Sequence, residues 1–583
     1  MYRNYICFFY KICKLIPIRL TFLLLIDVFT ALLQPAELNV LGKITKMLTN
    51  INLATINSLL ILAGIFIFIY VCKTLSSITN SIISGVTQNR LNHLLYGELF
   101  KVLSQIDLTN YDSANFNLKL LRSKKVIESV GLNAVISLID IVATIVGLIS
   151  ISIIIINVNI IYFVIFALIA CLQNIYSFRI AKENVDLDRL KDKIGRKHLY
   201  LFKLLYSRDS TKEIRSYNLY DWIENKRDNE FQNIANIGLK FTKRWIKINS
   251  LWATFMYLVE GGLLVFMVQQ LTISHLDLSQ LIVVFQSYTM FLNSVSSLVN
   301  SVNTIYRNSA LIADFQDIMN TPSNTVSTIG GMVSDKVKVS DVSFSYDKID
   351  KTLDHINFEI SPGETIAIVG HNGSGKSTLA KILLKMIEPD SGHISIPSDS
   401  FCAVFQDFAK FNLTVFENVV LGDVDTLTNG SMKILQKIEY ALEKSQCNYF
   451  VRNLPSGLNT FLGNEFEENG TDISLGQWQR LAFSRIIYRD SVFIVFDEPT
   501  ASLDPIAEKK QFEYIRNLLQ SKTVVLISHR IGLNRLANRI VYLENGRIVE
   551  SGTHSDLMNL HGSYYKFYNA QAKWYQDSAQ MVE

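Results

Sequence analysis

Charge is what this chain has least of. Asp, Glu, Lys and Arg make up only 19% of its 583 residues, and hydrophobic residues make up 49%. With a mean hydropathy of +0.22, that balance is foreign to wholly soluble proteins. The net charge of only +4 argues neither for nor against nucleic acid, and no nucleic-acid partner is expected. The six cysteines (Cys7, Cys13, Cys72, Cys171, Cys402 and Cys447) are scattered without a Cys-x-x-Cys pair. That spacing argues against a disulfide frame or a cysteine metal site and for reduced thiols. The N-terminus lacks a cleavage-site pattern after a short apolar core, so no removable signal peptide is expected. The length allows about three or four domains.

What is present in place of charge is long apolar runs. Six stretches, near 18–41, 56–80, 130–156, 158–178, 249–270 and 279–302, approach the roughly 20 residues that a ~30 Å hydrocarbon core requires. They predict an α-helical domain of six membrane spans over residues 1–315. Residues 1–18 read either as an interfacial helix or as a frayed end. Basic residues gather between spans two and three (Arg90, Lys101, Lys119, Arg122, Lys124, Lys125) and between four and five (including Lys191, Lys193, Arg196 and Lys197). The other two joins have none, so both ends of the domain should face the cytoplasm. The two basic joins have few breakers and read as helices continuing beyond the bilayer. Short helices near Asp107–Asn117 and Asp209–Asn218 are candidates for contact with the C-terminal part of the chain. Asp27, Glu37, Asp140 and Glu260 fall inside apolar stretches. They line either a negative cavity suited to a cationic substrate, or structural pairs and span ends.

Residues 316–336 read as a polar linker, and 337–575 alternate β-branched strands with helices as an α/β domain; residues 576–583 are a polar tail. Within this domain Thr365–Val369 reads as a buried strand and Leu379–Ile387 as a helix. Between them stand Gly370, His371, Asn372, Gly373, Ser374, Gly375, Lys376, Ser377 and Thr378. Strand, Gly-x-x-x-x-Gly-Lys-Ser and helix is the phosphate-binding P-loop pattern. Glycines leave backbone N–H groups open to phosphate. The helix start adds its dipole, Lys376 neutralises phosphate charge, and Ser377 can ligate Mg²⁺. Nucleotide binding is the expected activity.

A second apolar strand, Val492–Phe496, ends in Asp497 and Glu498. Asp497 can hold Mg²⁺ and Glu498 can polarise an attacking water. Strand Thr523–Ser528 delivers His529 to the edge where α/β ligands bind.

The stretch Ile473-Ser474-Leu475-Gly476-Gln477, followed by Trp478-Gln479-Arg480, resembles the Leu-Ser-Gly-Gly-Gln signature of ATP-binding-cassette transporters. The resemblance implies a D-loop at Asp504 and a Q-loop at Gln406, which joins Ser377 and Asp497 as a metal contact. It makes His529 the switch histidine and Tyr346 the ring on adenine. With Glu498, Gln406 and His529 become the catalytic set. Six spans and one cassette look like a half-exporter: a dimer, of identical or of related chains, binding ATP and Mg²⁺. Ser474, Leu475, Gly476 and Gln477 would act on the partner's nucleotide.

Phe405 to Lys410, Gly476 to Arg480, and Asp497-Glu498-Pro499-Thr500 through Lys509 are similar to exporters of lanthionine peptides. This implies ATP-driven export of a lantibiotic or other modified peptide across the cytoplasmic membrane, by alternating access and in contact with bilayer lipid. Many such exporters begin with a cysteine peptidase; here the first histidine is His93, so Cys7 and Cys13 lack a nearby base and no cleavage is expected. A multidrug or lipid exporter would share the ATP chemistry, and a non-pumping, ATP-gated membrane protein is the rival from another class. Two departures stand out. Leu475 replaces the first signature glycine, a strain of about 1–2 kcal/mol if the position needs positive φ. Lys376 to Gln406 is also short for the family.

Overall fold

The computed structural model describes residues 2–48, 56–273, 277–321, 336–396, 401–425, 431–465, 467–499, 513, 515–516, 522–528 and 534–570. The expected linker and tail lie largely or wholly outside these residues. The chain divides into two compact units, Met1–Ser104 with Ala114–Pro322, and Gln105–Ser113 with Ser323–Glu583.

The first unit is helical. Helix α1 (Tyr2–Leu15) buries Tyr5, Phe8 and Ile12 along one face. Its Tyr5 hydroxyl donates to Ala134 O at 2.6 Å, and Phe8 meets the Phe315 ring edge-on at 5.8 Å. These contacts decide against a frayed end. Helices α2 (Pro17–Leu48) and α3 (Ile56–Leu103) follow; the brief α4 (Leu108–Tyr111) belongs to the second unit. Then come α5 (Ala114–Lys125), α6 (Gly131–Val158), α7 (Ile160–Tyr206), α8 (Arg208–Ser216), α9 (Tyr220–Ile273) and α10 (Leu278–Met319).

Among the described residues five helices are long and apolar enough to cross a membrane. The expected fourth span appears there as a shorter apolar helix, Ile160–Asn174. Several helices outrun a bilayer: α3 has 48 residues, about 72 Å at 1.5 Å per residue, as the long polar joins lead one to expect. Small residues let the helices close up. Gly147 lies against Ala31, and a Cβ on Gly42 would stand 2.8 Å from Val283, the close approach that packs helices where water gives no drive. Phe166 and Tyr288, 4.9 Å apart, centre a core with Leu38, Ile155 and Phe291. Between α5 and α6 the chain widens into a π-turn, Val126–Val130. There the Gln88 amide donates to Ile127 O at 2.9 Å, satisfying a carbonyl that the wider turn leaves to side chains. Helix α8 packs through Ile214 on Leu201 and Ile223 of its flanking helices.

The four acidic residues of the apolar stretches divide. Glu37 pairs with Lys73 at 2.6 Å, and Glu260 accepts from the Tyr288 hydroxyl at 3.3 Å. Asp27 and Asp140 face one cavity.

The second unit is α/β. Strands β1 (Val337–Phe344) and β2 (Leu353–Ile360) pair antiparallel. Strand β3 (Thr365–Val369) leads to α11 (Lys376–Leu383), then β4 (Ser391–Ser395) and β5 (Phe401–Val404). Helices α12 (Val415–Val420), α13 (Ser431–Lys444), α14 (Asn448–Arg452) and α15 (Leu475–Arg489) precede β6 (Phe493–Asp497). The chain continues with β7 (Thr523–Ile527), β8 (Arg539–Glu544), β9 (Arg547–Gly552) and α16 (His554–Leu560). One sheet has the order β2-β1-β4, the other β5-β6-β7-β3-β8-β9. In the larger sheet β5, β6, β7, β3 and β8 run parallel. Strands β3, β6 and β7 are buried along their whole length, which is why they read as unbroken apolar runs. The segment before α5 is part of this unit: Leu108 N–H donates to Met386 O at 3.2 Å, and Glu388 N–H to Asp107 Oδ2 at 3.1 Å. Of the first candidate contact segment, the part from Asp107 to Ser113 belongs to this unit and the rest to the first.

Candidate nucleotide site

The P-loop leaves the carboxyl end of β3, between β7 and β8. A Cβ on Gly370 would stand 2.1 Å from Leu543 O, while Gly373 and Gly375 hold φ of +81° and +99°; each demands glycine. Helix α11 starts at Lys376 and ends at Leu383, short of Ile387. Lys385 there takes a left-handed φ of +54°, which ends a helix.

Lys376 is 7% exposed, and its ammonium donates to Gly370 O at 2.9 Å and His371 O at 2.8 Å. Burial lowers its pKa, opposed by Glu498 and Asp497. The Ser374 hydroxyl is buried with no partner among the described residues. A buried orphan hydroxyl in this glycine loop is what an anion such as a phosphate would satisfy. Thr378 lies 3.4 Å, oxygen to oxygen, from the half-exposed Tyr346 hydroxyl. His371 and Asn372 are exposed, and the His371 ring meets Phe567 edge-on at 5.4 Å.

Asp497 ends β6 and is 7% exposed. Burial raises its pKa, while a hydrogen bond from Ser377 lowers it. The hydroxyl and carboxylate named for Mg²⁺ are thus adjacent, a hard oxygen pair of the kind that holds Mg²⁺ beside phosphate and water. Glu498 has φ +49°, and its N–H donates to Ile527 O at 2.9 Å. A left-handed glutamate costs about 1–3 kcal/mol, and the bond to β7 holds it there. Gln406 is exposed just beyond β5, the neighbour of β6, so Gln406, Asp497 and the P-loop share the carboxyl edge of the sheet. His529 and Asp504 lie outside the described residues.

Ser474 caps α15. Its Oγ accepts from Gln477 N–H at 3.3 Å and Gln477 Oε1 accepts from Ser474 N–H at 2.8 Å, a reciprocal capping box. Leu475 is the first helical residue and is not among the left-handed residues, so leucine is unstrained there. Its side chain is 48% exposed, beside the half-buried Gly476. Two contacts were not legible as site features. Buried Gln479 donates to Pro499 O at 2.6 Å. Arg485 donates to Asn418 Oδ1 at 2.7 Å and Ala409 O at 3.1 Å and stacks 4.8 Å over Phe411, fixing the segment after Gln406. Burial brings its pKa down to about 10. A polar residue at helical spacing on a buried face was the available signal for both.

Residues 353–501 match the family described as ABC transporter. The match takes in about a quarter of the chain and marks its C-terminal part as an ATP-binding cassette, whose ATP hydrolysis is coupled to transport. The subtilin transport ATP-binding protein SpaT of Bacillus subtilis is 27% identical over 83% of this chain and 80% of its own length. The nisin transport ATP-binding protein NisT of Lactococcus lactis is 25% identical over 94% and 93%. The ATP-dependent lipid A-core flippase of Vibrio cholerae is 33% identical over 41% and 42%. A solved bacterial Atm1-family ABC exporter with ATP bound superposes with a TM-score of 0.77 at 20% identity, over 96% of this chain and 98% of the other. The fold is that of an ABC exporter, and the apolar helices make the chain a membrane protein.

Proposed function

We propose that this ABC exporter drives a lantibiotic-type or similarly modified peptide across the cytoplasmic membrane, acting as one half of a dimer. The observation that carries this reading is the extent of likeness. Similarity to the subtilin and nisin transport proteins runs over 83% and 94% of the chain, whereas likeness to two lipid A-core flippases runs over 41% and 50%. Cassettes are shared by exporters of every cargo, so likeness that also takes in membrane helices weighs more for cargo. The higher flippase identity keeps a lipid cargo as the second reading.

In this mechanism the loop amides, Ser374 and Lys376 hold the phosphates, and Tyr346 offers its ring to the base. Ser377, Asp497 and Gln406 would hold Mg²⁺, which neutralises phosphate charge when bound. Glu498 orients and polarises the attacking water, with His529 completing the catalytic pair. Ser474, Leu475, Gly476 and Gln477 present an exposed helix start to the partner's nucleotide, with Asp504 at the same interface. Residues 1–315 carry the cargo path, residues 337–575 supply the power, and both termini face the cytoplasm, as the basic joins suggest.

The test is Mg-ATP hydrolysis in lipid nanodiscs, with Glu498→Gln and Lys376→Ala alongside. Turnover in the parent, a loss of at least about a hundredfold in Glu498→Gln, and failure of nucleotide binding in Lys376→Ala are expected. Stimulation by a lanthionine peptide and not by lipid A supports the peptide reading; the reverse pattern favours the lipid one. Equal turnover in parent and Glu498→Gln removes Glu498 from the chemistry.

A further inference from the structure

Helices α2, α3, α6 and α10 line an open cavity of about 530 Å³ within the first unit. Its walls are mostly hydroxyl and amide side chains, such as Thr30, Gln34, Asn80 and Ser294, in helices that are otherwise apolar. Three charged residues line it: Asp27, Asp140 and Lys73. The lysine is already engaged, its ammonium 2.6 Å from Glu37. Asp27 accepts a neutral donor, the Asn80 amide at 2.6 Å. The Asp140 carboxylate has neither a hydrogen-bond nor an ion-pair partner among the described residues. The cavity therefore carries two carboxylates and, among the described residues, no free cation to balance them. Ionisable groups at membrane depth are costly to keep and mark substrate paths. An ammonium restores the balance, and the surrounding hydroxyls and amides can take its remaining hydrogen bonds.

The volume falls in the range of small-molecule sites, about 300–1,000 Å³. That is room for a side chain or a chain end and too little for a folded peptide. We propose that this cavity is a subsite for a primary ammonium group of the exported peptide, a lysine side chain or the free N-terminus, with Asp27 and Asp140 as its recognition carboxylates. The proposal rests on the peptide-export reading and names the chemistry that reading leaves open. Glu37 and Glu260, each held by a partner, take no part.

The experiment is binding of a dye-labelled lysine-rich peptide, and of the same peptide with every amine acetylated, to the full-length protein in nanodiscs. Fluorescence anisotropy reads the affinity, with empty nanodiscs as blank. The parent should prefer the free-amine peptide. Asp27→Asn with Asp140→Asn should weaken that peptide by at least about tenfold while holding the acetylated twin as the parent does, which shows the variant is folded. Asp27→Glu with Asp140→Glu should restore the preference. If the parent binds both peptides equally, or the paired Asn variant keeps the preference, the ammonium subsite is overturned while peptide export stands. If the parent binds neither peptide, the peptide reading falls and takes the subsite with it.

Discussion

The side-chain amide of Gln479 donates to the backbone carbonyl of Pro499 at 2.6 Å, in the buried interior of the cassette. Pro499 follows Glu498, so this bond ties the signature helix to the turn that carries the proposed water-polarising carboxylate. A movement of either reaches the other through one hydrogen bond.

Gln479→Met keeps the volume and removes the donor. A lost buried hydrogen bond of about 1 kcal/mol should lower ATP turnover severalfold, with nucleotide affinity nearly unchanged. Steady-state hydrolysis beside binding of a fluorescent ATP analogue separates the two. An equal fall in both would make Gln479 a purely structural residue.

Leu475→Gly should not raise turnover. Leu475 already has helical backbone, so glycine relieves no strain there and only adds freedom to the unfolded chain. Hydrolysis rates of the two proteins in the same nanodiscs check this. A faster glycine variant would mean that the exposed leucine side chain obstructs the site.

Asn418→Ala should destabilise the cassette by about 1–3 kcal/mol. Asn418 is fully buried, its amide donates to the carbonyls of Phe411, Leu413 and Thr414, and its Oδ1 holds Arg485. Its loss removes these bonds, while each carbonyl keeps a backbone N–H donor and Arg485 keeps the Asn418 and Ala409 carbonyls. Thermal unfolding monitored by tryptophan fluorescence should show a lower midpoint, and an unchanged midpoint would contradict the role.

His554 gives the cassette an acid sensitivity. Burial, then Arg535, lowers its pKa from the ordinary 6.5, and its Nδ1 lies 2.9 Å from the Tyr564 hydroxyl. The unfolded chain takes up the proton more readily than the folded one. Its share of stability is therefore full above the ordinary imidazole range and is lost as pH falls through the lowered folded value. Melting points from about pH 8 to about pH 5.5 should fall less steeply in His554→Phe than in the parent. Parallel curves would exclude the effect.

Much of the site could be read from the chain because local rules act at each position. Gly373 and Gly375 need left-handed backbone, and β3 and β6 announce themselves as unbroken apolar strands. Ser474 with Gln477 three residues on is a capping box that sequence alone can show. What could not be read depends on distant partners. Nothing near Glu37 in sequence foretells Lys73, and nothing in Gln479 foretells Pro499. The strain that Leu475 would carry at positive φ does not arise, because its backbone is set by the helix it starts. The fourth apolar stretch, read as 158–178, lies in a helix that runs on to Tyr206. Hydropathy marks the apolar part of a helix and not the point where its backbone hydrogen bonds stop.

The segment Gln105–Ser113 folds with the cassette, its Asp107 and Leu108 bonded at Glu388 and Met386. The power unit is therefore not one continuous stretch of gene. A recombination event that swapped everything after the linker between two exporters would bring in new residues at 386–388 and leave the old 105–113 behind. Inheritance of a working engine requires the two pieces to travel together or to change in step, so hybrids should fail first at this joint.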